Sequence, residues 1–194
     1  MMEYCMECGT KLKKRFLKNE GMVPYCEKCE EYRFPVFSSA VSMEVLSPDR
    51  EKVLLIKQYG KDRYVLVAGY INQGESAEHT VAREVKEEIG LEVADIRFEK
   101  SAYFPPSNTL MLNFSCVAAS EDLTAVSEEE IDFCRWFPLR EAETQIAQGS
   151  LAHRFLKHYL ESRACRKNDA AGAARPMQAD ERTGASEEAG SYTV

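Results

Sequence analysis

Hydrophobic and polar positions along the chain fall into short runs whose period changes several times. Residues 37–46 have strand-like content, and Ser47-Pro48-Asp49 closes them with a turn. Residues 52–59 (KVLLIKQY) and 64–68 (YVLVA) are mostly apolar runs that read as buried strands, joined by a turn containing Gly60. Residues 76–89 switch to a helical period. Val81, Val85 and Ile89 make one apolar stripe at about 100° per residue. Ser76 is placed to cap that helix, and Gly90 followed by Leu91 is placed to stop it. Residues 93–100, 109–118 and 133–137 return to strand content. Residues 139–148 and 151–163 carry helical spacing, broken at Gly149-Ser150. Strands and helices mixed in this way, with short connections, predict an α/β (α+β) sandwich.

The two ends of the chain differ from its middle. Residues 1–34 hold four of the seven cysteines. Residues 166–194 contain no Leu, Ile, Phe or Trp. A segment with so little to bury cannot offset the entropy of ordering it. The expected organisation is therefore a cysteine module over 1–34, a main domain over 35–163 and a disordered tail over 164–194. At 194 residues and 44% hydrophobic, the chain has material for a real core. Lys and Arg total 25 against 32 Asp and Glu, a net charge of −7. That balance argues against coating nucleic acid by bulk electrostatics. It leaves phosphate-bearing substrates open, because a bound metal inverts the local charge. No apolar run approaches the roughly 20 residues of a membrane helix. Residues 1–5 (MMEYC) lack a secretory pattern. A cytoplasmic, reducing location is expected, where cysteines serve as thiols or metal ligands.

The N-terminal cysteines form two pairs, Cys5-x-x-Cys8 and Cys26-x-x-Cys29, 17 residues apart. Each pair puts two sulfurs on a tight turn, and two facing turns make a four-thiolate cage suited to Zn²⁺. Such a site has no open position, so it is assigned structural work. Lys11, Lys13, Lys14 and Lys18 would soften its negative charge. Cys116 and Cys134 lie in apolar strand contexts, as core thiols do. His79, His153 and His158 have no ligand-like spacing.

The richest segment is AGYINQGESAEHTVAREVKEEIGLEV, residues 68–93. Glu84, Glu87 and Glu88 project from a stripe next to the apolar one and repel each other. Arg83 relieves Glu87 but cannot neutralise all three. Clustered carboxylates beside a glycine-containing turn, Gly69 to Gly74, suit a hard divalent cation such as Mg²⁺. Gly69, five residues, Glu75, seven residues and Arg83-Glu84-Val85-Lys86-Glu87-Glu88-Ile89-Gly90-Leu91 resemble a complete Nudix box, G-x5-E-x7-R-E-U-x-E-E-x-G-U, where U is a bulky aliphatic. The resemblance implies a mixed sheet between helices and Mg²⁺- or Mn²⁺-dependent hydrolysis of a nucleoside diphosphate linked to another moiety. It implies Glu84, Glu87 and Glu88 as metal ligands. Glu75 and Arg83 would support the geometry, and Gly69 would shape the turn and face substrate or metal. Which glutamate accepts a proton stays open.

A four-cysteine module before a Nudix domain resembles the NADH pyrophosphatase subgroup. Residues 101–112 (SAYFPPSNTLML) are similar to that subgroup's S-Q-P-W-P-F-P-x-S followed by L-M. Ser101, Pro105, Leu110 and Met111 match, whereas Ala102, Phe104 and Pro106 replace Gln, Trp and Phe. Tyr103 and Phe104 remain able to stack on a substrate ring. A rigid loop over the sheet is the alternative for residues 103–106. Glu130, six residues before Trp136, resembles a further glutamate of the subgroup that serves metal or proton transfer. The resemblance implies cleavage of an NADH- or NAD-type dinucleotide to NMN(H) and AMP. Alternatives are ADP-ribose or another ADP-linked diphosphate, and a non-catalytic zinc-ribbon protein that binds a nucleotide to regulate. NAD-capped RNA is the nucleic acid partner to be considered, and a homodimer is implied by the subgroup.

Overall fold

The computed structural model describes residues 2–169, with side chains through 166, as two compact units, 2–37 and 38–169. The first unit is a three-stranded antiparallel sheet of β1 (Lys13–Leu17), β2 (Gly21–Cys26) and β3 (Glu31–Tyr32). Its buried side chains are few: Cys5, Val23, Pro24 and Cys26.

The second unit is built on a six-stranded mixed sheet. In chain order its strands are β4 (Ser38–Leu46), β5 (Lys52–Lys57), β6 (Val67–Tyr70), β7 (Val93–Phe104), β8 (Thr109–Ala118) and β9 (Phe133–Pro138). Across the sheet the order is β7-β8-β4-β5-β9, with β6 also paired to β4. Among the strands of the described residues only β4 and β8 pair in parallel, over a nine-residue register from Ser38↔Thr109 to Leu46↔Val117. The helices are α1 (Ala77–Glu84), α2 (Leu139–Gln145) and α3 (Leu151–Asp169). On one face Val81, Val85 and Ile89 pack on Val41, Met43 and Val45. On the other, Phe155, Leu156 and Tyr159 of α3 pack on Leu46, Val53 and Leu55. Helices on both faces of a mixed sheet are the sandwich expected from the sequence. Strand β5 shows why its run is continuous: Val53 and Leu55 enter one core while Leu54 and Ile56 enter the other.

Several boundaries differ from the sequence reading. The strand expected at 64–68 forms its ladder with β4 at Val67–Tyr70, while Val65 makes a lone bridge to Ile56. Strand β7 runs to Phe104, four residues beyond the expected 93–100, so residues 101–104 are sheet and not loop. The second helical stretch ends at Gln145 instead of 148. Helix α3 continues to Asp169, six residues into the expected tail; residues 170–194 lie outside the described residues. Among the described residues no helix is long and apolar enough to cross a membrane.

One core residue is a carboxylic acid. Glu44 on β4 is fully buried; Asn113 Nδ2 donates to its Oε1 at 3.2 Å, and its Oε2 has no partner. Burial pushes its pKa up to about 8, against a counteracting hydrogen bond from Asn113. The folded state therefore keeps a proton that the unfolded state releases. This stability is complete below the unfolded pKa near 4.5 and is lost as pH rises through about 8. Glu44→Gln is expected to flatten that decline. The difference in melting temperature between variant and parent should grow in the variant's favour from pH 5 to pH 8, as thermal denaturation at several pH values would show.

Candidate active site

The site is assembled where the β6 ladder meets the helix that follows it. Ser76 Oγ accepts from the backbone N–H of His79 at 3.2 Å and starts α1. After Glu84 the helix widens into a π-type turn over Val85–Ile89, closed by Gly90 in the left-handed region at φ 80. The wider turn brings residues four apart nearly over one another and separates residues three apart. Glu84 and Glu88 accordingly face the same way, and Glu87 does not. Glu84 is 9% and Glu88 5% exposed, whereas the Glu87 side chain is 61% exposed.

Arg83 organises this face. Its Nε donates to Glu75 Oε1 at 2.7 Å and its Nη2 to Glu75 Oε2 at 3.0 Å. Its Nη1 lies 2.8 Å from Glu87 Oε2 and 2.9 Å from Glu84 Oε1. Its Nη2 also reaches the Tyr70 carbonyl of β6 at 3.1 Å. The Arg83 guanidinium holds Glu75 down to about 2, helped by the Asn72 N–H and the Thr80 hydroxyl. Glu75 is thus a fixed anion that orients Arg83, and Arg83 in turn orients Glu84.

Glu84, Glu88 and Glu130 line one cavity of about 580 Å³. Burial first, and then the charges of Glu84 and Glu130, push Glu88 up to about 8. Glu88 Oε2 is buried with no hydrogen-bond partner. Glu84 is also raised, chiefly by burial. Gly69 on β6 explains itself here: a Cβ at this position would overlap the Glu84 carboxylate. An all-oxygen set with an orphaned buried oxygen and a cradle kept open by glycine fits a hard divalent cation. The opposite wall of the cavity is apolar, with Phe104, Met111, Leu151 and Phe155.

The sequence-predicted residues divide. Gly69, Arg83, Glu84, Glu88, Glu130 and Phe104 line the cavity. Glu75 lies behind Arg83, and Glu87 pairs with Arg83 outside the lining. Tyr103 does not line the cavity, and its hydroxyl donates to Asn108 Oδ1 at 2.7 Å. Successive residues of a strand face opposite ways, so only one of Tyr103 and Phe104 can point inward. Sequence reasoning missed Tyr59, Tyr70 and the start of α3, none of which belongs to a motif.

In the first unit the four cysteine sulfurs lie within 4.8 Å of one another. Cys8 and Cys26 sulfurs are 3.4 Å apart, and Cys5 and Cys29 sulfurs 3.9 Å. A tetrahedron with zinc–sulfur bonds of 2.3 Å has edges of about 3.8 Å. Backbone N–H groups of Cys8 and Glu7 lower Cys5 to about 6, while its crowding against the Cys8 sulfur pushes Cys29 up to about 12. Arg33 Nε donates to Cys5 Sγ at 3.3 Å, and the four-sulfur donor set fits zinc.

The NUDIX domain profile matches residues 37–159. This chain belongs to the Nudix family. It is 32% identical over 176 residues to the NAD-capped RNA hydrolase NudC of Pseudomonas aeruginosa, covering 90% of this chain and 59% of that protein. It is 27% identical over 177 residues to the human NAD-capped RNA hydrolase NUDT12, covering 81% of this chain and 38% of that protein. The chain therefore spans well under two thirds of these relatives. A Nudix hydrolase structure from Nitrosomonas europaea superimposes with a TM-score of 0.60 at 24% identity, over 84% of this chain and 93% of that one. That likeness establishes the Nudix fold, and members of the family use divalent cations.

Proposed function

We propose that this chain is a divalent-cation-dependent Nudix pyrophosphatase that cleaves the diphosphate of an NADH- or NAD-type dinucleotide to NMN(H) and AMP. The observation carrying this is the pairing, in one cavity, of the Glu84, Glu88 and Glu130 cluster with the apolar wall at Phe104 and Met111. The carboxylates would hold Mg²⁺ or Mn²⁺, with Glu87 available from the rim through Arg83. Such a cation neutralises charge on the diphosphate oxygens and makes water more acidic. The apolar wall receives a flat ring and excludes water around it. Glu75 and Arg83 keep Glu84 in place, and Glu88, in the same cavity as Glu84 and Glu130, is placed to accept a proton from the attacking water.

ADP-ribose and other ADP-linked diphosphates are the second reading. It is favoured by Pro106 standing where the subgroup has Phe, and by Tyr103 facing away from the cavity. A NAD cap on RNA presents the same diphosphate, and the relatives named above carry that activity in their names. The net charge of −7 favours the free dinucleotide here. Zinc at the four cysteines is proposed as structural, with no part in the reaction.

Turnover of NADH, NAD⁺, ADP-ribose and diadenosine polyphosphates, measured side by side with Mg²⁺, tests the reading. NADH is expected to have the highest kcat/KM. Preference for ADP-ribose would move the assignment to the second reading, and turnover of none would reject both. Gly69→Ala supplies a local check. The added methyl would push the Glu84 carboxylate aside, so turnover should fall by about 10–100-fold with the melting temperature nearly unchanged.

A further inference from the structure

Tyr59 belongs to no motif, yet its backbone and its exposure are both unusual. It stands just beyond β5 with φ 57, and Gly60 follows at φ 65. A bulky residue in the left-handed region persists only where its surroundings fix it. Here they do. The Gly60 N–H donates to Asp132 Oδ2 at 2.7 Å, and the Asp132 N–H donates to the Lys57 carbonyl at 2.9 Å. The Lys61 N–H closes the turn on the Gln58 carbonyl at 3.2 Å. Asp132 is two residues from Glu130, so the turn carrying Tyr59 and the segment carrying Glu130 are clamped together.

The clamp holds a tyrosine that is 70% exposed yet lines the cavity. Little packing rewards that placement. Glu88, Glu130 and Glu84 all act electrostatically on its phenol, which places it beside the carboxylate cluster. Its position across the sheet matters most. Phe104 and Met111 belong to the β7–β8 side, and Tyr59 belongs to the β5–β9 side. From β8 through β4 to β6, and on by the Val65–Ile56 bridge to β5, there are three inter-strand steps, about 14 Å in all. The Glu84 and Gly69 pairing lies between them on β6. One flat ring cannot touch both walls, whereas two rings joined through a diphosphate can.

We propose that Tyr59 is a specificity residue whose ring stacks on the second ring of a dinucleotide, the first ring lying on the apolar wall at Phe104 and Met111. The proposal rests on the diphosphate-hydrolase reading above. A substrate with one ring places that ring on the apolar wall, where more surface is buried, and leaves only a sugar near Tyr59.

The test compares the parent with Tyr59→Ala and Tyr59→Phe on NADH and ADP-ribose with Mg²⁺. NADH affinity is also titrated without metal, where no turnover occurs. Tyr59→Ala is expected to raise KM and Kd for NADH about tenfold, the size of one lost ring stack, with kcat nearly unchanged. Tyr59→Phe is expected to match the parent, and KM for ADP-ribose to stay within about twofold of it. An unchanged KM for NADH in Tyr59→Ala overturns the proposal, as does an equal rise for both substrates or a loss confined to kcat. Absence of NADH turnover in the parent would reject the dinucleotide-hydrolase reading instead, and the metal-free titration would still decide the role of Tyr59.

Discussion

Glu88→Gln is expected to abolish measurable turnover while leaving the fold at least as stable. The substitution keeps the shape of the side chain and removes its charge. In the folded protein that charge is costly: burial and the neighbouring Glu84 and Glu130 push Glu88 up to about 8. The sign follows from linkage. A carboxyl whose folded pKa is raised contributes stability below its unfolded pKa near 4.5 and loses it as pH rises through about 8. In metal-free protein the variant should therefore melt at the same temperature as the parent near pH 4 and above it near pH 8. Turnover should move the opposite way, because on the proposed reading the site loses a carboxylate that serves the cation and the attacking water. A loss of about 10²–10⁴-fold in kcat is the scale of a missing base. Melting curves and initial rates on the same preparations separate the two effects. A variant that turns over like the parent would remove Glu88 from the chemistry.

Cys26→Ser is expected to unfold the first unit. Compact units below about 40 residues seldom hold together without a metal, disulfides or a partner. Residues 2–37 bury little more than Cys5, Val23, Pro24 and Cys26, and two of those four are cysteines of the cluster. Structural zinc in modules of this kind binds with on the order of 10 kcal/mol, and that binding energy is also folding energy. Losing one thiolate leaves three ligands and a hydroxyl that is a poor zinc donor at neutral pH. Elemental analysis should find one zinc per parent chain and far less in the variant. Amide exchange should show lost protection across β1 and β2. Rates at the Nudix site should fall much less than in Glu88→Gln. Iron in place of zinc, or a variant with unchanged zinc content, would contradict the structural assignment.

The sequence exposed those parts of the molecule where one physical pressure acts alone. Strand β5 is buried on both faces, so KVLLIK could be read directly. The helix beginning at Ala77 has a cap, an apolar stripe and a glycine stop, and each is local. Strand β6 was displaced because its ladder uses Gly69, which strand propensity disfavours. That glycine is there for the carboxylate of Glu84, a contact 15 residues away along the chain. The widened turn at Val85–Ile89 left no pattern, and it is what turns Glu87 away from Glu84. Pro105-Pro106 made a loop the alternative for residues 103–106, but the ladder with β8 persists to Phe104↔Thr109. That extension decides which of Tyr103 and Phe104 faces the cavity. Glu130 was found through family resemblance, since three adjacent glutamates carry no positional signal of their own. Tyr59 was invisible because its placement depends on Asp132, 73 residues later.

On the proposed reading, the Glu84, Glu88 and Glu130 cluster directs hydrolysis of a dinucleotide diphosphate. Product analysis of NADH incubated with the purified chain and Mg²⁺ tests it most directly, with a chelator control alongside. AMP and reduced nicotinamide mononucleotide are expected in equal amounts, and neither in the presence of chelator. Release of free nicotinamide with ADP-ribose, or AMP formation that survives both the chelator and Glu88→Gln, would contradict it.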